Sequence, residues 1–546
     1  MKNIKFLLLS AILIGFTACN EPVDILEDQG IDTADVVLPA LSAGSADFST
    51  YVSLGNSLTA GFTDNALFRA SQENSFPNIL SKKFAMIGGG TFTQPLMSDN
   101  VGGLLLAGNP VINPSTGGRL FAPRLVFGGA GPVPLQSINP SAESTTDFAL
   151  NNPSGPFNNM GVPGAASFHL IAPGYGNITN FPAAANPYFV RMTGATPNAS
   201  IMEMAMAQSP SFVTLWVGAN DVLGYATGGA ANGAPTPQPT FDYAMSQIMS
   251  ALGSTQGVMA NVPYVTDIPY FTTVPHAPLD PSNPDFGPQI PTLNGIFGAL
   301  NQIFAQVDPS RIIVFSQTSA SPVVIKDESL ADISAIITGG LLSDLPAFEA
   351  FIAQFGLPPI AAPSVAGLLG LVYGQARQAT ADDLLVLPSS TVIGTVNEDF
   401  AAFLGTQGLP PALAGQFAVE GVSLPLEDKW VVIPSEQDEI KMAIDGYNTT
   451  IQSAASTAGM AFVDANSIFQ QMASGGYTDG DYTLTANLVM GGAVSLDGVH
   501  PTSRGYALIA NEFMKAIDAT YGSNFEASGN LIDIGDYPTN YSPLLQ

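Results

Sequence analysis

Phe48-Ser-Thr-Tyr-Val-Ser-Leu-Gly-Asn-Ser-Leu-Thr-Ala-Gly61 is the stretch on which the fold turns. Phe48 to Leu54 alternates apolar with polar side chains, the pattern of a strand, and Gly55 ends it. Gly55 and Gly61 then bracket Asn56-Ser57-Leu58-Thr59-Ala60, and glycine permits a tight strand-to-helix turn. A serine on such a turn has its hydroxyl raised above the sheet and its own N–H near a helix N-terminus, where a developing negative charge is welcome. Ser57 after Asn56 is equally a plausible helix N-cap. Nor is the segment a Gly-x-Ser-x-Gly elbow, since Thr59 stands where the second glycine would be.

Further along the chain, the same strand signal recurs in Ser211–Val217, which stops at Gly218, and in Gly257–Val262, which stops at Pro263. A fourth candidate, Met460–Asp464, follows a helical pattern from about Ser435 to Ala458, and another helical pattern covers Phe241 to Leu252. Strands alternating with helices predict an α/β fold with a largely parallel sheet. Two stretches exceed what such a core needs. Residues about 65–155, rich in Gly, Pro and Asn, read as a loop-dominated insertion. Residues about 285–430 carry helix-like apolar patterns, Leu330–Phe355 and Val365–Ala376, and a repeated phrase, Phe351-Ile-Ala-Gln-Phe-Gly-Leu-Pro-Pro359 and Phe403-Leu-Gly-Thr-Gln-Gly-Leu-Pro-Pro411. A helical cap over the sheet's carboxyl edge and an ordinary packed subdomain are both open, because an apolar substrate channel and a helical core draw on the same side chains.

The chain has 546 residues, with 44 acidic side chains against 15 basic ones and a net charge of −29. No basic surface is available to neutralise phosphates, which argues against a nucleic-acid partner. With 46% hydrophobic and 11% charged residues, the composition is that of a packed protein and not of an acidic disordered chain. One cysteine excludes an internal disulfide framework and a multi-cysteine metal site. That cysteine, Cys19, closes a basic start (Lys2, Lys5), an apolar run Phe6–Phe16 and the small pair Thr17-Ala18, the order of a secretory signal too short to span a bilayer. The segment resembles the lipobox of bacterial lipoproteins, which implies removal of residues 1–18 and acylation of Cys19; an ordinary signal peptide is the alternative. Cleavage would remove two lysines and no acids, so 13 basic against 44 acidic residues would leave −31. Residues 19–47, acidic and free of lysine and arginine, then read as an extended tether. Among bacterial lipoproteins, Asn20 is compatible with outer-membrane sorting, and the tether suggests surface exposure.

A serine nucleophile needs a base, and there are three histidines: His169, His276 and His500. Only His500 has an acid at short spacing in a turn, Asp497 in Ser495-Leu-Asp-Gly-Val-His-Pro501. An acid there can fix the imidazole tautomer and stabilise the imidazolium, although a surface Asp beside an exposed His would look the same. Oxyanion donors are on offer from the Asn220 amide in Gly218-Ala-Asn-Asp221 and from a backbone N–H in Asn159-Met-Gly-Val-Pro-Gly164. Asn and Gly also populate turns for conformational reasons alone. No His-Glu-x-x-His spacing and no calcium loop is present, so neither metal nor organic cofactor is expected.

The ordered set Gly-Asn-Ser-Leu, Asn-x-Gly-x-x-Gly, Gly-x-Asn-Asp and Asp-x-x-His-Pro resembles the SGNH hydrolase superfamily, the GDSL esterases and lipases, over roughly residues 48–62, 157–182, 198–270 and 435–520. The resemblance implies a three-layer α/β/α, flavodoxin-like fold over residues 48–525, with insertions at about 65–155 and 285–430 and a tail at 526–546. It implies Ser57 as nucleophile, His500 as base and Asp497 as its orienting acid. The oxyanion hole would be formed by the Ser57 and Gly164 N–H groups and the Asn220 side chain, with Gly161 a rival for Gly164. Asn56 replaces the family's usual aspartate. The expected activity is hydrolysis of carboxylic esters, on lipid-like or other apolar acyl or aryl substrates if the cap forms a channel. An acetylesterase of carbohydrates or small molecules and a non-catalytic surface-binding lipoprotein are the alternatives. The partners implied are an ester substrate and, through Cys19, a membrane.

Overall fold

The computed structural model describes residues 38–114 and 116–546. The signal segment, Cys19 and most of the expected tether lie outside the described residues. The tether's last residues do not extend away: Ser45 N–H donates to Tyr521 O (2.8 Å) and Asp47 N–H to Gln256 Oε1 (2.9 Å), holding this segment on the domain.

The molecule is mixed α/β. Strands β1 (Tyr51–Gly55), β2 (Asn159–Gly161), β3 (Phe212–Trp216), β4 (Gln256–Ala260) and β5 (Ala461–Val463) form a five-stranded sheet in the order β5-β4-β3-β1-β2. Every pair in it is parallel. Strands β1, β3, β4 and β5 lie in the stretches whose pattern predicts strands, to within a few residues at the ends. Strand β2 corrects the sequence reading, which treats Asn159-Met-Gly as part of a glycine turn. Three residues ending in glycine are too short to show a period, and pairing with β1 decides their conformation.

The sheet's pleat sorts its side chains between two cores. Val52, Leu54, Val213, Leu215 and Met259 enter one, while Tyr51, Phe212, Trp216, Val258 and Val463 enter the other. This is the alternation a strand requires. The helices that cover them are α1 (Ser57–Ala60), α2 (Phe76–Phe84), α3 (Gln238–Leu252), α4 (Pro434–Ala458), α5 (Ala465–Ser474) and α6 (Ser503–Tyr521). Phe241, Met245 and Ile248 of α3 and Ile440, Ile444, Tyr447 and Ile451 of α4 close the first core at helical spacing. Phe76, Ile79 and Leu80 of α2 and Tyr506, Ala510, Phe513 and Ile517 of α6 close the second.

Helix α2 belongs to the 65–155 stretch, so that segment is not loop alone. Beyond α2 it carries two short antiparallel ribbons, Leu105–Leu106 with Asn109–Pro110 and Leu125–Phe127 with Pro132–Pro134. It also anchors the C-terminal tail, because the fully buried Arg124 donates to Ser542 O (2.7 Å) and Leu545 O (3.1 Å).

The 285–430 stretch is mainly helical, with Ile290–Val307, Ser334–Ser343 and Ala362–Tyr373 as its longest helices, and it builds a core of its own. In both copies of the repeated phrase a helix ends at a left-handed glycine, Gly356 (φ 76°) and Gly408 (φ 92°), and Leu-Pro-Pro leads into the next helix. Arg377 ties this unit together, donating to Asp327 Oδ2 and Asp383 Oδ2, each at 2.6 Å, with both carboxylates buried. Among the described residues no single helix is long and apolar enough to cross a membrane.

Candidate active site

In the observed strand order, the chain leaves β1 toward one edge of the sheet and continues from β3 toward the other. The crevice beyond the carboxyl ends of β1 and β3 is the switch point at which such sheets bind ligands. Ser57 stands there. Asn56 caps α1 by accepting the Leu58 N–H on its side-chain oxygen (3.0 Å), and Gly61 ends it in the left-handed region (φ 85°). The glycine at 55 is required by space, because a Cβ there would lie 2.4 Å from Trp216 O on the neighbouring strand.

His500 and Asp497 reach this turn from the segment preceding α6. His500 Nε2 is 3.0 Å from Ser57 Oγ, and His500 Nδ1 is 2.8 Å from Asp497 Oδ2. The Asp497 carboxylate is enclosed by donors. Oδ1 accepts the Val499 N–H (2.8 Å), the His500 N–H (2.9 Å) and the Ser495 hydroxyl (3.0 Å), and Oδ2 also accepts the Asn65 N–H (2.9 Å). Burial works to raise its pKa, but the facing His500 and the hydrogen bonds from His500 and Val499 hold it down at about 2. An ionised carboxylate at this position accepts a proton carried on Nδ1, the tautomer in which Nε2 faces Ser57 as an acceptor.

Sequence reasoning missed the turn that completes this shell. Thr63 and Ala66 exchange backbone hydrogen bonds at 3.1 and 3.0 Å, and the two residues between them, Asp64 (φ 52°) and Asn65 (φ 63°), are both left-handed. Asp and Asn tolerate that region better than other side chains. Asp64 N–H donates to Ser495 Oγ (3.0 Å) and Asp64 Oδ1 accepts the Leu496 N–H (3.1 Å). Its other oxygen, Oδ2, is buried with no hydrogen-bond partner. Burial first, and then Asp497 nearby, raise Asp64 to about 7 against the opposing pull of the Leu496 N–H and Arg124. The Asp-Asn dipeptide is a local turn signal, but nothing local points to a carboxylate more than 430 residues away.

The rival glycines differ in their commitments. Gly161 N–H donates to Asn159 Oδ1 (3.0 Å), and a Cβ on Gly161 would lie 2.4 Å from Ala60 N, so this glycine serves the packing of β2 against α1. Gly164 (φ 82°) lies on the loop after β2. Asn220, just beyond β3, donates to Ala165 O on the same loop (3.0 Å). Buried Asp221 binds the loop further by accepting the Ser167 N–H (2.8 Å) and hydroxyl (2.7 Å), a role that the Asn-Asp pair did not disclose.

The other histidines stay apart. His169 accepts the Ala166 N–H (3.0 Å) and stacks on Tyr175 at 4.3 Å, and burial lowers it to about 4. His276 lies on the edge of the 285–430 unit, where its backbone oxygen accepts from Val323. Glu328, Asp428 and Glu436 bring carboxylate oxygens within 4.8 Å of one another, and none of them lines the cavity beside Ser57. Burial first, then the neighbouring carboxylates, raise both Glu436 and Asp428 above the ordinary carboxylate range.

An apolar cavity opens beside Ser57, Asn220 and His500, with about 90 Å³ of space open to the centre of a water molecule. No residue of 285–430 lines it. Most of that stretch's buried apolar side chains gather in a core of their own, while Val386 joins the first core of the sheet and Leu387 lies against Gly498 beside Asp497.

Comparison with protein-family models, with characterised proteins and with solved structures returns no match to this chain.

Proposed function

We propose that this chain is a carboxylic ester hydrolase of the SGNH type, with Ser57 as nucleophile, His500 as general base and Asp497 as the acid that orients it. The observation that carries this reading is the chain of contacts from Ser57 Oγ to His500 Nε2 (3.0 Å) and from His500 Nδ1 to Asp497 (2.8 Å). It is supported by the position of Ser57 at the sheet's switch point and by the resemblance of the four sequence blocks. The strand order, written from β2 as 2-1-3-4-5, and the helices on both faces support the three-layer, flavodoxin-like arrangement of that superfamily.

The reaction follows from these positions. Ser57 Oγ attacks the ester carbonyl as His500 Nε2 takes its proton, and Asp497 stabilises the resulting imidazolium. Ser57 N–H, Gly164 N–H and the Asn220 amide are assigned to the developing oxyanion; Asn220 uses one of its two amide hydrogens on Ala165 O and keeps the second. His500 then protonates the departing alcohol and afterwards activates the water that releases the acyl group. Asn56 replaces the usual acid without interrupting this route, since its side chain faces the Leu58 N–H. We assign the chain to the bacterial cell envelope, anchored through lipid on Cys19, in keeping with outer-membrane sorting and surface exposure.

The test is Ser57→Ala, read by hydrolysis of a short p-nitrophenyl ester and by labelling with a fluorophosphonate. Both should be lost, and undiminished turnover in the variant would end the proposal.

A further inference from the structure

The cavity beside Ser57 has a built shape. Its long walls are facing stripes of two helices: Gly505, Leu508, Ile509 and Phe513 on α6, and Ala465, Ile468, Phe469 and Met472 on α5. Both stripes keep the spacing of a single helix face. His500 and Pro501 stand at one end, where α6 begins, together with Ser57 and Leu58. From Gly505 to Phe513 the α6 stripe covers about 12 Å at 1.5 Å per residue. At the far end the carbon lining meets Glu512, whose Oε1 accepts from Lys515 Nζ at 2.8 Å. An apolar cavity of this kind gains nothing from water, which finds no partners on its walls. An unbranched hydrocarbon would be held by dispersion contacts and by its own dehydration.

We infer that this cavity is the acyl pocket and that it selects straight, medium-length fatty acyl esters, with Glu512 setting the length limit. The inference rests on the esterase reading of Ser57. The acyl part, and not the alcohol, belongs in the pocket because of the order of events. After the first step the acyl group stays bonded to Ser57 Oγ while the alcohol must leave, so the enclosed site suits the group that remains and the open side suits the one that departs. An extended chain advances roughly 1.2 Å per bond, so about 12 Å of α6 accommodates roughly eight to ten carbons. A longer chain would bring its methyl end against the Glu512–Lys515 pair and desolvate it, which costs more than the added methylenes return.

The experiment is a series of p-nitrophenyl esters from acetate to hexadecanoate, run with the wild type, Ala465→Phe and Glu512→Leu. In the wild type, kcat/KM should rise roughly fourfold per methylene, peak near eight to ten carbons and then fall. Ala465→Phe fills the wall near the mouth and should move the peak to about four carbons or fewer. Glu512→Leu removes the charged end and should move it to twelve carbons or more, a lengthening that general destabilisation does not produce. Fluorophosphonate labelling of Ser57 in the wild type separates the two proposals. Labelling with acetate as the best substrate, or with one unchanged optimum in all three proteins, overturns the acyl pocket alone. Absence of both labelling and turnover overturns the esterase reading and the pocket with it.

Discussion

Replacing Asp64 by asparagine should stabilise the protein, and the gain should grow with pH. Asp64 is buried beside Asp497, accepts the Leu496 N–H on one oxygen and leaves the other without a partner. Its folded-state pKa, raised by burial to about 7 against an ordinary 3.8, means that between those values the folded protein keeps a proton that the unfolded chain has released. Stability therefore falls as pH climbs through that window, and above it the folded state carries the full cost of an ionised, under-solvated carboxylate beside a second one. Raising a carboxyl from 3.8 to about 7 corresponds to at most about 4 kcal/mol. Asparagine keeps an acceptor for Leu496, tolerates the left-handed backbone and cannot ionise. Asp64→Asn and wild type should unfold alike near pH 4 and diverge by a few kcal/mol by pH 8. Asp64→Ala is the contrast: it leaves the Leu496 N–H unmet, costing about 1–3 kcal/mol at every pH, and places a less tolerant residue at positive φ. Thermal and urea unfolding at a series of pH values would measure all three. Parallel wild-type and Asp64→Asn curves across the range would refute the assignment of a proton to Asp64.

Asp497→Asn should lower kcat/KM for a short ester by about 10³–10⁴, because an amide NH₂ must face either the His500 ring or one of the N–H groups that the carboxylate now accepts; a loss below tenfold would remove Asp497 from the mechanism. Arg377→Met leaves Asp327 and Asp383 buried without a counter-charge and should destabilise the 285–430 unit by about 3–5 kcal/mol, read as accelerated proteolysis confined to that unit; unchanged cleavage would show that the ion pairs contribute little. Cys19→Ala should abolish metabolic incorporation of a palmitate analogue and release the protein from the membrane fraction, whereas persistent incorporation would refute Cys19 as the anchor.

The strands that carry Ser57 and Asn220 were legible in sequence because each is long enough, or apolar enough, to show its period before a glycine ends it. Strand β2 was not, since its three residues are made a strand by pairing with β1. The spacing of Asp497 and His500 was legible as a turn with an acid facing a base. The Asp64–Asn65 turn was legible only as a turn, because its value lies in a contact across most of the chain. The cavity beside Ser57 was hidden for another reason. Helix α6 is largely buried along its apolar face, and a stripe that lines a cavity looks in sequence like a stripe that packs on a sheet. Conversely, the apolar wealth of 285–430 fits a channel and a helical core equally well in sequence, and the structure gathers most of its buried part in a core of its own.

Ser57 and His500 lie 443 positions apart, and Asp497 accepts one of its N–H donors from Asn65, near the nucleophile. On the proposed mechanism, a chain emerging from the ribosome N-terminus first therefore displays its nucleophile long before it owns a base. Until the last strand and α6 have docked, the hydroxyl of Ser57 is as unreactive as any other serine. Timing is thus written into chain order: on the proposed mechanism the base arrives only when the chain is nearly complete, and covalent labelling of Ser57 should mark molecules that have finished folding.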